Sequence, residues 1–316
     1  MTRLISIVCP VFEEEQGIAA FQATLDSVLA RLEGWEAEIL YVVDPGRDRT
    51  VEVLERIAAA DPRVLVLVLS RRFGHQASLR AGLEASRGEA VVTMDCDLQH
   101  PPSLIPELVA RFMQGAEVVL TVRTYDAQIS AGKRLPSALF HRLLQSMSDF
   151  PHAEGVSEFR LTSRRVTDIL VREMPERGLY LRGVVSWLGF RSDSVAYVAP
   201  ERSSGVTKFS LRRLLDLAAT GLVAGGGRPL RFAFVCALGC AAVAASFWVM
   251  GGFCLLAGAT GAALSLVLAG VLTAVAGAGF GVAGILGEYL QAVLVEVRQR
   301  PAYLVARRIG GGAGPR

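Results

Sequence analysis

The chain has 316 residues, 52% of them hydrophobic, with a mean hydropathy of +0.40 and a net charge of +3. That length holds one large domain plus an appendage, the charge is too small for a nucleic-acid binder, and the apolar excess is more than a soluble fold ordinarily carries. Five cysteines without zinc-type spacing exclude a disulfide framework and a zinc site, and read as packing residues in a reducing compartment.

Leu4 to Phe12 predicts a first strand. The acidic run Glu13-Glu14-Glu15 follows and opens a helix from about Gly17 to Leu32, at the end where a helix dipole favours negative charge. Glu38 to Val43 predicts a second strand, ending in Asp44-Pro45-Gly46, and Val51 to Ala60 the next helix. Val64 to Leu69 is a third strand; Arg71-Arg72-Phe73-Gly74-His75-Gln76 then leads into a helix through Ala85. Val91 to Met94 is apolar on both faces, as in a buried strand of a parallel sheet, and runs into Asp95-Cys96-Asp97-Leu98-Gln99-His100-Pro101-Pro102. Ala116 to Val122 is a further strand, delivering Arg123. Strands alternating with helices mean βαβ units and a mostly parallel sheet.

Side chains at i and i+2 of a strand share a face. Asp95 and Asp97 are therefore expected to point the same way where their strand leaves the sheet, at the carboxyl-end crevice where open α/β sheets bind ligands. Two carboxylates there suit a hard divalent cation carrying phosphates, although a bare Asp-x-Asp is a common pattern. No Gly-x-Gly-x-x-Gly follows the first strand and no Walker phosphate loop is present, so nucleotide phosphates would need that metal.

From Ala131 to Phe150 the pattern is amphipathic, which fits a surface helix packed on the sheet or a basic helix lying on a membrane. Ser157-Glu158-Phe159-Arg160-Leu161 is expected to start a helical segment, Arg202 to Lys208 a flexible basic loop, and Leu211 to Val223 an apolar-rich helix. Phe232 to Gly287 contains no charged residue, room for two membrane helices of about 20 residues each. A charge at mid-bilayer costs about 2.5–3.5 kcal/mol, and basic residues flank the block on both sides (Arg228, Arg231; Arg298, Arg300). Both ends are thus expected inside, with the leaderless N-terminal part in the cytoplasm. The Gly- and Ala-rich second span, Ala269 to Gly287, suggests close helix packing between protomers. Gly310 to Pro315 reads as a disordered tail.

Several of these motifs occur together in one known family. Pro10-Val11-Phe12-Glu13-Glu14 resembles its Pro-Val-Tyr-Asn-Glu, Phe73-Gly74-His75-Gln76 its Phe-Gly-x-Gln, and Asp95 to Pro102 its Asp-Ala-Asp-Leu-Gln-Asp-Pro-Pro. Arg202-x-x-Gly205-x-x-Lys208 and Gly284-Ile285-Leu286-Gly287-Glu288-Tyr289 complete the set. The chain resembles the family 2 glycosyltransferases of GT-A fold, more narrowly the polyprenyl-phosphate group of dolichol-phosphate mannose synthase and the bactoprenol glucosyltransferases, from about Leu4 to Val305.

The resemblance implies an α/β GT-A domain over residues 1–200, a juxtamembrane loop and interfacial helix over 201–230, two transmembrane helices over 231–290 and a basic cytoplasmic tail over 291–316. It implies that Pro10, Phe12, Glu14 and Asp44 hold the nucleoside, with Asp44 on the base and Asp95 near ribose and phosphates. Asp97 and Gln99 would bind Mg²⁺ or Mn²⁺, Arg202 and Lys208 would close over the diphosphate, Arg123 and Arg134 would meet the lipid phosphate, and Glu158 would position acceptor or sugar. Arg134 and Lys208 equally suit anionic headgroups, and Gln99 suits a turn. The sequence departs from the family's Asp-Asp-Gly-Ser at Val43-Asp44-Pro45-Gly46, from its Asn at Glu13, and from its Asp-Phe-Arg-Leu at Glu158.

The implied activity is inverting transfer of a sugar from a nucleotide sugar, first a UDP-hexose, to a polyprenyl phosphate such as undecaprenyl phosphate. It would take place at the cytoplasmic face of the plasma membrane, in a multi-pass homo-oligomer with both termini inside. Alternatives are a GDP-mannose-using mannosyltransferase and a weakly active nucleotide-sugar-binding membrane partner.

Overall fold

The structure is a computed structural model that describes residues 2–124, 156–174, 181–198, 239–240, 249 and 261–311. In chain order the described elements are β1 (Arg3–Val11), α1 (Ile18–Leu29), β2 (Trp35–Val43), α2 (Thr50–Ala60), β3 (Val64–Leu69), α3 (His75–Ala85), β4 (Ala90–Thr93), a short 3₁₀ turn at Pro102–Leu104, α4 (Ile105–Met113), β5 (Val118–Thr124), β6 (Val156–Ser163), α5 (Arg164–Arg172), α6 (Leu181–Trp187), β7 (Ser192–Val198), α7 (Gly261–Val297) and β8 (Val305–Gly310). They fall in two units: Met1–Arg134 with Phe150–Thr207 and Arg300–Arg316, and Leu135–Asp149 with Lys208–Gln299.

The first unit holds one eight-stranded sheet in the order β7-β5-β6-β4-β1-β2-β3-β8. Its centre is parallel (β4, β1, β2, β3), β5 pairs with β7 in parallel, and β6 and β8 run antiparallel to their neighbours. Alternation along β1 sends Ile5, Ile7, Cys9 and Val11 to one face, where α1, α2 and α4 cover them through Phe21, Leu25, Leu54 and Leu108. Val8 goes to the other face, with Leu79 and Leu83 of α3, Val166 and Leu170 of α5, and Val184 of α6. Each such side chain contributes about 1.5–3 kcal/mol by burial, against about 0–1 kcal/mol for a surface ion pair, so the two apolar layers hold the fold. At Gly82 a Cβ would run into Val8 and Val42, and its absence lets α3 lie close on the sheet. Burial pushes the Cys9 and Cys96 thiols up, in keeping with packing residues.

Four expectations need correction. The acidic run Glu13 to Glu15 sits in the turn before α1, and no acidic residue lies in that helix's first turn. β4 ends at Thr93, so Asp95 and Asp97 lie on a loop beyond it and the shared-strand-face argument does not place them. Ser157 to Leu161 is part of strand β6, buried throughout and inserted between β4 and β5. The reason is tertiary: Phe159 and Leu161 enter one apolar layer while Glu158, Arg160 and Thr162 take the opposite face, where partners satisfy them. Finally, the tail expected to be disordered from Gly310 begins inside β8, which pairs with β3, and Gly310 adopts φ +73° against the Val64 carbonyl.

In the second unit α7 runs for 37 residues. Its part Gly270–Val297 is long and apolar enough to cross a membrane, and covers most of the expected second span. The expected first span lies, but for isolated residues, outside the described residues, as do the amphipathic stretch 131–150 and the basic loop 202–208.

Candidate active site

The chain order reverses at β1: β2 and β3 lie on one side of it and β4 on the other. Such a switch point leaves a crevice at the carboxyl ends of the two central strands. Pro10 lies at the end of β1 and Phe12 just beyond it, and beyond β4 comes the loop Asp95 to His100; the Cys96 thiol donates to the Pro10 carbonyl at 3.7 Å and ties that loop to the end of β1.

The loop has a defined shape. Leu98 adopts φ +61°, rare for a bulky residue, and its side chain is anchored on the core. This turn lets the Gln99 N–H donate to Asp97 Oδ1 at 3.0 Å. The Asp95 carboxylate meets His75 Nε2 at 2.8 Å, and the Asp95 N–H donates to His100 Nδ1 at 2.9 Å. A backbone N–H can only donate, so His100 Nδ1 carries no proton. Burial also pushes that imidazole down from its ordinary value, against the opposing pull of Asp95, Asp97 and Glu158. His100 is thus a neutral ring, and its 3.5 Å approach to Asp95 Oδ2 is not an ion pair. It stacks on Phe159 at 5.4 Å and meets Tyr197 edge-on at 6.4 Å. Arg123, at the end of β5, donates to Gln99 Oε1 at 3.4 Å.

The wall behind this loop carries charge. Glu158 accepts from Arg160 at 2.9 Å and from Gln76 at 3.2 Å, and Gln76 in turn accepts the Leu181 N–H at the start of α6. Glu158 is 6% exposed and Arg160 1%, two positions apart on one strand face. Asp44, expected on the base, is buried and takes the N–H groups of Phe73 at 3.0 Å and Gly74 at 2.7 Å. Gly74 makes this turn at φ +97°. The Arg72 guanidinium lies 3.8 Å from the centre of the Phe12 ring.

The loops after β1 and β2 clasp each other. Glu14 N donates to Thr50 Oγ1, Glu15 N to Asp48 Oδ2, Arg49 N to Glu15 Oε2 and Arg47 N to Glu13 Oε1. Glu13 does this at φ +56°, a region that Asn tolerates better than Glu. Glu13→Asn is therefore expected to stabilise the protein by about 0.5–1 kcal/mol, read as a higher melting temperature in detergent. An unchanged or lower melting point would show that the Glu13–Arg47 contact outweighs the strain.

With this geometry in view, comparison with known proteins is specific. The family model for glycosyl transferase family 2 matches residues 6–170. A prophage bactoprenol glucosyl transferase homolog of Escherichia coli (strain K12) is 34% identical over 305 residues, 96% of this chain and 98% of that one.

The chain belongs to glycosyl transferase family 2.

The SfII prophage-derived bactoprenol glucosyl transferase of Shigella flexneri is 32% identical over 96% of this chain and 97% of its own. Among solved structures, the glucosyl-3-phosphoglycerate synthase of Mycobacterium tuberculosis with Mn²⁺, UDP-glucose and phosphoglyceric acid aligns at TM-score 0.45 and 17% identity, over 70% of this chain and 77% of that one. The described sheet is of the GT-A kind, mixed and mostly parallel, and the protein is a glycosyltransferase.

Of the residues expected in this glycosyltransferase's site, the structure places Pro10, Phe12, Glu14, Asp44, Asp95, Asp97, Gln99, Arg123 and Glu158 at or around the strand ends. Arg134, Arg202 and Lys208 lie outside the described residues. Four contacts were not anticipated. His75 and Gln76 stood in a quoted motif, but nothing in it assigned them to Asp95 and Glu158. His100 carried no signal beyond a departure from Asp. Tyr197 had none, because the pairing of Arg123 with Tyr197 across β5 and β7 joins positions far apart in the chain.

The donor set fits a hard divalent cation. Among the described residues no group of three or more His, Cys, Asp or Glu side chains forms a metal cage. Mg²⁺-type ions are commonly held by one or two carboxylates and completed by substrate phosphates. Asp97 Oδ1 is engaged by the Gln99 N–H, which leaves Oδ2 as its oxygen for a metal, while the Gln99 amide oxygen accepts from Arg123.

Proposed function

We propose that this glycosyltransferase moves a hexose, first glucose, from a UDP-sugar to a polyprenyl phosphate at the cytoplasmic face of the membrane, with Mg²⁺ or Mn²⁺ and inversion at the anomeric carbon. The observation that carries the reading is the Asp95–Gln99 loop at the switch point, tied to His75 through Asp95, folded on itself by Asp97 and met by Arg123 at Gln99. The names of the relatives, bactoprenol glucosyl transferases matched along their whole length, favour the lipid acceptor.

A phosphate monoester has its second pKa near about 6, so the acceptor is largely a dianion at neutral pH and needs no strong base. Its oxygen attacks the anomeric carbon, the carbon–oxygen bond to the diphosphate breaks, and the leaving UDP keeps the electron pair. The cation, when bound, neutralises charge on that diphosphate. Asp97 and Gln99 would hold it, Phe12 and Pro10 would pack the nucleoside with Glu14 and Asp44 shaping the pocket, and Arg123 would draw the lipid phosphate in. Arg134, Arg202 and Lys208 are proposed to add charge on the acceptor and diphosphate. Glu158 acts from behind, holding Gln76 and Arg160 in place.

Membrane attachment has its own support. The chain leaves the sheet after β7 and returns to it as β8, with α7 in between. Two strands of one sheet lie in one compartment, so the intervening chain crosses a bilayer an even number of times. With Gly270–Val297 as one crossing, two spans is the simplest arrangement. Small residues along α7, including Gly277, Gly281 and Gly284, leave room for a helix of another protomer.

The test is product formation. Full-length protein in detergent is incubated with undecaprenyl phosphate, Mg²⁺ or Mn²⁺, and UDP-glucose, UDP-galactose, UDP-N-acetylglucosamine or GDP-mannose labelled in the sugar. Label from UDP-glucose is expected in the organic phase, absent with EDTA, and β-linked by NMR. Label from GDP-mannose alone would replace the donor, and no label from any donor in protein that binds UDP would sink the reading.

A further inference from the structure

The loop that grips the site, Ser70 to Gln76, is itself gripped from the C-terminal end of the chain. At its far end His75 holds Asp95 and Gln76 holds Glu158; in its middle Phe73 and Gly74 donate to Asp44, and Arg72 lies on Phe12. At its near end the Ser70 N–H donates to the Leu304 carbonyl at 2.8 Å. Leu69 pairs with Val305, past an irregularity in the β3–β8 ladder at Val68/Leu69. Tyr303, Val305 and Phe73 all pack against the same small cluster of Val42, Leu67, Leu69 and Ala81, and the Tyr303 hydroxyl donates to Glu84 of α3, the helix that starts at His75. This segment follows within a few residues of Val297, where α7 ends.

We infer that Tyr303 is a positioning residue: the segment Tyr303–Val305 sets the loop Ser70–Gln76, and through it Asp95 and Glu158, so that the chain leaving the apolar helix organises the sugar-transfer site. An edge strand that merely stapled the sheet would act along its whole length. Here the contacts near the site loop come from Tyr303 and Leu304, just before β8, and from its first residue, whereas Arg307 further along reaches Glu55 of α2.

The test separates positioning from stapling in the full-length protein. Tyr303→Ala removes packing and hydroxyl, Tyr303→Phe only the hydroxyl. Gly310→Ala is the control: it strains the far end of β8, where a Cβ would meet the Val64 carbonyl. Amide hydrogen exchange over residues 70–76 is expected to quicken on the order of tenfold in Tyr303→Ala, less in Tyr303→Phe, and not in Gly310→Ala. Binding of UDP with Mn²⁺, and kcat/KM in the transfer assay at a temperature well below both melting points, are expected to fall in the same order. Equal exchange at 70–76 in Tyr303→Ala and Gly310→Ala, whether raised or unchanged, overturns the inference. The kcat/KM arm rests on the proposed transfer reaction; the exchange arm does not, so failure of one is told apart from failure of the other.

Discussion

Asp97→Asn is expected to cut kcat/KM for sugar transfer on the order of 10²–10³-fold while changing stability by less than about 0.5 kcal/mol. The two effects separate because the proposed metal role and the loop contact use different properties of the side chain. Its Oδ1 accepts the Gln99 N–H and so shapes the loop, and an amide oxygen does that equally well. Its negative charge is what the proposed divalent cation would draw on, and Asn lacks it. The contrast with Asp95 is instructive: that carboxylate is tied to His75 and its N–H to His100, so its replacement would disturb the loop as well as the charge. The measurements are steady-state transfer against Mn²⁺ concentration and thermal melting in the same detergent. Activity within tenfold of wild type at saturating metal would remove Asp97 from the metal site.

The second large effect is on folding. Arg160→Met is expected to destabilise the protein by about 3–5 kcal/mol, because it takes the guanidinium away from a buried carboxylate. Glu158 and Arg160 are both nearly inaccessible, and their bond is 2.9 Å long. Taking both charges away together is a different matter: buried pairs often cost as much to desolvate as they return. The double variant Glu158→Gln/Arg160→Met should recover most of the stability while transfer stays low, since Gln76 would lose its charged partner. Melting temperatures of the single and double variants decide it. A single variant that melts like wild type, or a double that melts lower than the single, would show that the pair is not what holds this wall.

Much of the catalytic half was readable because its signals are local. The alternation of apolar runs with amphipathic stretches from Leu4 to Arg123 has the period of strands and helices, and burial on both sides of a parallel sheet reinforces it. Family motifs then marked Pro10, Phe12, Asp97 and Gln99. β6 was misread because it is buried on both faces while carrying Glu158 and Arg160, so its pattern has neither the alternation of a half-buried strand nor a continuous apolar run. β8 was missed because an edge strand needs little burial and tolerates arginines on its exposed side.

What the residues by themselves determined is whatever depends on neighbours in the chain: the strand–helix order, the motif that follows β4, the charge-free block that holds most of α7, and the membership in a family of glycosyltransferases. Tertiary structure alone decided which distant groups meet. It brought His75 to Asp95, Gln76 to Glu158, Tyr197 to His100 and Tyr303 to Glu84. The physical reason is that a contact between residues remote in sequence follows from strand order and register, set by burial of two whole apolar layers rather than by any short stretch.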